Sequence, residues 1–119
     1  MRTTLVIGAS ENPERTSFMA IHRLLKANQN VVAIGSKSGE VAGVKIQTGQ
    51  PFIPNIDTIT LYLGIKNQIP LYKYILSLHP KRIIFNPGAE NLEFEKICAN
   101  EKISVIKACT LVMLSLGSY

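Results

Sequence analysis

The chain has 119 residues, 46% of them hydrophobic, with a mean hydropathy of +0.17, which suits one globular domain and excludes tandem domains or disorder. Its net charge of +5, from 13 Lys and Arg against 8 Asp and Glu, invites an anionic partner, yet Lys81-Arg82 is the one adjacent basic pair and nucleic acid needs a denser patch. No apolar run approaches the roughly 20 residues that cross a bilayer, and Met1-Arg2 is not followed by a signal peptide, so a cytoplasmic chain is expected.

Thr3-Thr4-Leu5-Val6-Ile7 is a continuous run ending at Gly8, the pattern of a strand buried on both faces. Phe18, Ile21, Leu24 and Leu25 then share one face of a helix that Thr16 or Ser17 would cap and Asn28 would close. Val31 to Ile34 predicts a second strand. The stretch from Gly35 to Ile56, with Gly39, Gly43, Gly49, Pro51 and Pro54, reads as a long loop of the kind that covers a ligand. Val41, Val44 and Ile46 would add a short extended segment within it. Thr58 to Leu63 is a third strand.

Leu71, Tyr74, Ile75 and Leu78 recur at i, i+3, i+4 and i+7 and predict a helix, with Pro70 in its first turn and His79-Pro80 as its stop. Arg82 to Phe85 is a fourth strand. Leu92 to Ala99 is a helix with Glu90, Glu93 and Glu95 early and Lys96 and Lys102 late, a charge order that suits the helix dipole. Ser104 to Ile106 is a fifth strand, and Thr110 would cap a last helix, Leu111 to Leu116, that stops at Gly117. With no hairpin signal, the expected class is α/β: a single Rossmann-like doubly wound domain over residues 1–119, a five-stranded parallel sheet with helices on both faces. Ligands of such sheets sit beyond the carboxyl ends of the strands.

The loop after the first strand, Gly8-Ala9-Ser10-Glu11-Asn12-Pro13-Glu14-Arg15-Thr16-Ser17, is rich in anion-binding residue types. Gly8 lets a backbone approach a diphosphate, hydroxyls and amides at a helix start donate to it, and Arg15 supplies a fork of charged donors. Only one glycine of the dinucleotide pattern Gly-x-Gly-x-x-Gly is present, however, so the NAD signature is not met. After the second strand, where NAD enzymes hold an acid on the ribose, stands Gly35-Ser36-Lys37-Ser38-Gly39. A lysine there favours an adenosine carrying an extra phosphate, which describes both NADP and coenzyme A.

The order of motifs is more specific than any one of them. Val6-Ile7-Gly8-Ala9-Ser10 with Asn12-Pro13-x-Arg15-x-Ser17-Phe18, then Gly39-x-x-x-Gly43 and Ile53-Pro54-Asn55-Ile56-Asp57, lead to Asn86-Pro87-Gly88-Ala89-Glu90 and Cys109-Thr110-Leu111-Val112-Met113-Leu114. Over nearly its whole length the chain resembles the small stand-alone CoA-binding domain proteins, related to the CoA-binding domain of the succinyl-CoA synthetase alpha subunit. The resemblance implies that Gly8, Ala9, Ser10 and Arg15 surround the CoA diphosphate, and Asn12 and Ser17 of the same motif are expected among the cofactor-binding residues. It likewise implies that Ser36 and Lys37 lie near the phosphorylated adenosine and that Asn86, Pro87 and Gly88 face the pantetheine arm. Relatives often carry Asn-Pro where Gly35-Ser36 stands and Arg where Leu63-Gly64 stands.

The remaining reactive side chains form no catalytic pair. Cys109 falls on the ligand side of the sheet beside Lys107 without a paired base, and Cys98 lies on an apolar helix face with Phe94 and Ile97. His22, His79 and Asp57 read as structural, and no zinc spacing links the histidines and cysteines, so free thiols and no metal are expected. The reading is a binding module for CoA or acyl-CoA without its own catalytic centre. An NADP-binding enzyme or redox sensor, working as a homodimer that builds a substrate site between subunits, is the alternative. An interaction module that has lost its cofactor is a third.

Overall fold

The unbroken apolar run at the start of the chain becomes the centre of the sheet. In the computed structural model, which describes residues 2–119, the strands are β1 (Thr3–Ile7), β2 (Asn30–Ile34), β3 (Gly39–Val41), β4 (Val44–Gln47), β5 (Ile56–Leu61), β6 (Arg82–Phe85) and β7 (Ser104–Lys107). The helices are α1 (Thr16–Lys26), α2 (Ile65–Gln68), α3 (Tyr72–Ser77), α4 (Leu92–Asn100) and α5 (Thr110–Leu116). All five residues of β1 are buried, and β1 pairs in parallel with β2 on one side and β5 on the other. The sheet order is β3-β4-β2-β1-β5-β6-β7, and every pairing is parallel except β3 with β4.

The chain is thus α/β, but with seven strands where the sequence predicts five. The two extra strands lie in the presumed cover loop, and they form a hairpin where none was expected. Ala42 and Gly43 turn it, both at positive φ (50° and 85°), the backbone of a tight two-residue turn. Val41 and Ile46 of the hairpin are buried against β2 and α1. The hairpin packs into the core, and of the expected cover loop its flanks, Gly35 to Ser38 and Gly49-Gln50, border the larger cleft at the carboxyl edge of the sheet.

Alternating side chains of the central strands feed two cores. Leu5 and Ile7 join Ile59, Leu61, Ile75, Phe85 and Phe94 on the α3–α4 side, while Val6 and Ala33 join Ile21, Leu24 and Ile46 on the α1 side, where Leu114 of α5 also packs. Phe94, fully buried, stacks on Tyr72 at 4.2 Å and meets Phe85 edge-on at 6.1 Å.

Helix ends differ from expectation in instructive ways. Neither Thr16 nor Ser17 caps α1; the N-cap is Arg15, without a side-chain cap, and while Phe18 N–H donates to the Arg15 carbonyl, the Thr16 and Ser17 amides are left without a partner among the described residues. Asn28 does close it, at φ 61°, with Gln29 N–H donating to the Leu24 carbonyl and Asn28 N–H to that of Leu25. Thr110 is the first residue of α5, behind the N-cap Cys109, and does not cap it. The helix predicted over Leu71 to Leu78 is shorter: Pro70 sits in a 3-10 turn, Ile69–Leu71, between α2 and α3. His79, at φ 49°, and Pro80 end it as expected. At α4, Asn91 Oδ1 accepts from Phe94 N–H and Glu95 Oε2 accepts from Asn91 N–H, a reciprocal cap that the acidic start foreshadowed.

Both cysteines are free. Cys98 is fully buried, and burial together with neighbouring Glu95 pushes its thiol up to about 12. The native protein is therefore expected to leave Cys98 unmodified by a thiol-specific disulfide reagent at pH 8, and denaturant to expose it. Mass mapping of labelled peptides before and after unfolding checks this; rapid native labelling of Cys98 contradicts it. Among the described residues no helix is long and apolar enough to cross a membrane, and no group of His, Cys, Asp and Glu could hold a metal ion.

Candidate functional site

β1 and β5 lie side by side, and the chain leaves β1 toward β2 on one side and β5 toward β6 on the other, so that their carboxyl ends open into a cleft of about 1230 Å³. Its walls are the loop after β1, the turn after β2, the segment from Tyr62 to Leu71 and the loop after β6. A smaller cleft of about 620 Å³ lies at the opposite edge, among Arg2, Asn55, Asp57, His79 and Lys81. Parallel sheets bind ligands at the carboxyl edge, which selects the larger one.

Close packing of the loop after β1 against its neighbours depends on glycine. Gly8 has φ +94°, and a Cβ there would stand 2.8 Å from the Tyr62 carbonyl oxygen. Its N–H and that of Ala9 both donate to the Ile34 carbonyl, at 3.0 and 2.9 Å. Gly35 touches the Ala9 carbonyl so closely that a Cβ would lie 2.3 Å from that oxygen. Loop and turn therefore form one wall.

Beyond Ala9 the loop is held by its own turns. Ser10 Oγ accepts from Asn12 N–H at 3.0 Å, Asn12 Oδ1 accepts from Glu14 N–H at 3.0 Å, and Arg15 N–H donates to the Asn12 carbonyl. These bonds engage the Asn12, Glu14 and Arg15 amides within the loop. The amides of Thr16 and Ser17 at the α1 start stay available, where the helix dipole favours an anion. The one ion pair among the described residues joins Lys107 to Glu95 at 3.7 Å, so the cations lining the cleft, Arg15 and Lys37, are not engaged by a carboxylate. Glu11 and Glu14 line it too.

Of the residues singled out by sequence, Gly8, Ala9, Ser10, Asn12, Arg15, Ser17, Ser36, Lys37, Pro87 and Gly88 line this cleft together. Asn86 does not. It is buried, its Nδ2 donates to Thr60 Oγ1 at 2.8 Å and to the Leu61 carbonyl at 3.0 Å, and its Oδ1 accepts from Thr110 N–H at 2.9 Å. Thr60 and Thr110 hydroxyls join this knot at 2.8 Å, fastening α5 to β5. Asn86 thus serves the floor beneath the cleft. Cys109 is half-buried and outside the lining, and Lys107 is on Glu95.

The cleft also holds residues that sequence reasoning passed over. Tyr62 is in the lining, while its side chain packs against the α1-side core with its hydroxyl buried near Thr60 and Thr110 without a hydrogen bond of normal geometry; burial pushes this phenol up. Leu63, Asn67 and Leu71 form the less charged wall. Behind them fully buried Gln68 donates to the carbonyls of Leu63 and Ala89, both at 2.7 Å, and accepts from Asn91 Nδ2 at 2.9 Å. Those bonds lock the Tyr62 to Leu71 segment to the loop after β6. The i+2 position of Tyr62 after Thr60 was the available signal for its side of the sheet.

A family model described as a CoA binding domain matches residues 2–115. The crystal structure of an uncharacterized protein, 44% identical, superposes with a TM-score of 0.97, the match covering 100% of this chain and 98% of that one. A hypothetical protein from Pyrococcus horikoshii OT3 is 22% identical with a TM-score of 0.85, covering 95% of this chain and 81% of the other. Acetyl-coenzyme A synthetase 1 of Ca. Korarchaeum cryptofilum, solved with phosphate and ADP, is 17% identical with a TM-score of 0.73 over 89% of this chain and 25% of its own length. The last two show a shared fold. No curated protein matches.

Proposed function

From the premise that the chain belongs to the CoA-binding domain family, we propose that it is a binding module for coenzyme A or acyl-CoA, without a catalytic centre of its own. The observation that carries the reading is the meeting of three segments distant in sequence, residues 8–17, 36–37 and 87–88, in one cleft at the carboxyl edge of the sheet. Leaving the antiparallel β3 aside, six parallel strands run in the order 3-2-1-4-5-6, that of a Rossmann-type sheet, and the cleft sits at its switch point.

In this reading the diphosphate lies over Gly8, Ala9 and Ser10, takes hydrogen bonds from the Thr16 and Ser17 amides, and pairs with Arg15. Ser36 and Lys37 face the 3′-phosphate. The pantetheine arm runs between Pro87-Gly88 and the Tyr62, Leu63 and Leu71 wall. Asn86 supports that arm from below through Thr60 and Thr110 and does not touch it.

Parallel calorimetric titrations with CoA, acetyl-CoA, NADP and NAD test the proposal. Binding of CoA and acetyl-CoA with negligible heat from NAD is expected; selective binding of NADP, or no heat from CoA at millimolar concentration, contradicts it. Lys37→Ala is expected to weaken CoA about threefold to fivefold, the value of an exposed charged contact, and to leave dephospho-CoA unaffected. Equal losses for both ligands would move the 3′-phosphate away from Lys37.

A further inference from the structure

Glu11 places a carboxylate in the lining of a cleft assigned above to a polyanion, and its charge alone opposes such a ligand. Its contacts give it another task. The side chain reaches from the β1 loop to the start of β3, just past the turn after β2, where Oε2 accepts from Glu40 N–H at 2.9 Å. Gly39 makes room for it: a Cβ on Gly39 would stand 2.4 Å from Glu11 Cδ and 2.6 Å from Oε1. The inner end of the same turn is fastened to the same loop through the Ile34 carbonyl and the contact of Gly35 with Ala9. Exposed Ser36, Lys37 and Ser38 lie between the two fastenings.

We infer that Glu11 is a positioning residue: its carboxylate clamps the outer end of the Ser36–Ser38 turn to the phosphate loop, and so sets the preference for a phosphorylated adenosine. This role rests on the proposed function. A turn fixed at one end alone would let Lys37 and the two hydroxyls wander, and a ligand that orders them pays that entropy on binding. Charge and clamp separate in Glu11→Gln, whose amide oxygen still accepts from Glu40 N–H while the repulsion is gone.

The test is the ratio of CoA to dephospho-CoA affinity in wild type, Glu11→Ala, Glu11→Gln, Gly39→Ala and the Glu11→Ala/Gly39→Ala double variant, with hydrogen exchange of the Glu40 amide in the free proteins. For wild type we expect a ratio of about tenfold, falling to about threefold or less in Glu11→Ala and in Gly39→Ala, whose new Cβ displaces the carboxylate. The double variant should lose no more than either single one, because both remove the same clamp. Glu11→Gln should keep the wild-type ratio and bind both ligands at least as tightly. Glu40 exchange should quicken about tenfold or more in Glu11→Ala and stay slow in Glu11→Gln.

A wild-type ratio retained in Glu11→Ala, or an equal loss in Glu11→Gln, overturns the inference while CoA binding by wild type leaves the proposed function standing. Absence of CoA binding by wild type overturns the proposed function and this role with it.

Discussion

Arg15→Ala is expected to weaken CoA binding about tenfold to hundredfold while leaving the melting temperature within about 2 °C of wild type. Arg15 is exposed at the N-cap of α1, where its backbone is extended and its side chain caps nothing, so truncation removes no packing and no helix contact. In the proposed mode it would remove a charge-assisted contact of about 1.5 to 3 kcal/mol with a phosphate, which the affinity relation converts to that range. Lys107→Ala is the control. Its ammonium belongs to Glu95 and lies outside the cleft lining, so a change below about twofold is expected. Calorimetry at two salt concentrations separates a local contact from diffuse attraction. If Arg15→Ala and Lys107→Ala weaken CoA equally and salt erases both losses, the assignment of Arg15 is wrong.

The second large effect is structural. Gly35→Ala should cost about 3 kcal/mol of stability, a fall of about 10 °C in melting temperature, and more than about tenfold in CoA affinity. The new Cβ would stand 2.3 Å from the Ala9 carbonyl oxygen and 3.0 Å from Ile46 Cγ2. Neither backbone can yield freely. Ala9 is bonded to the Ile34 carbonyl and Gly35 N–H to that of Gln47, so relief must push the phosphate loop away from β2 and β4. Gly64→Ala offers the contrast, since Gly64 has an ordinary φ of −70° and nothing within 4 Å of an added Cβ. Thermal denaturation of both variants decides the matter, and similar melting temperatures would contradict the close-approach argument.

The difference between these two residues shows what a sequence can disclose. Arg15 was legible because its chemistry is local: a cation, small residues and a helix start within one loop. Gly35 was legible as a glycine, but its partner Ala9 is 26 positions away, and the contact exists only after β1 and β2 pair. Glu11 was opaque for the same reason, its partner Glu40 lying 29 positions on.

The continuous runs of β1, β5 and β6 announced themselves because central parallel strands are buried on both faces, whereas β2 and β7 were marked only by short apolar runs, and β7, at the sheet edge, has no buried residue. β3 and β4 did not, since they are three and four residues long and turn through Ala42-Gly43, which lacks the Asn-Gly or Asp-Gly signature of such hairpins. Asn86 shows the limit from the other side. Its motif pointed to a ligand, while burial turned every polar atom of its amide toward Thr60, Leu61 and Thr110.

The central claim is that CoA occupies the cleft at the carboxyl ends of β1 and β5. Titration of uniformly 15N-labelled protein with CoA, followed by amide chemical shifts, tests it most directly. Saturable shifts are expected in residues 8–17, 36–39, 62–71 and 87–89, with Thr16 and Ser17 amides among the largest, and none around the opposite cleft of Arg2, Asp57, His79 and Lys81. Saturable shifts confined to that opposite cleft, or none up to millimolar CoA, would contradict it.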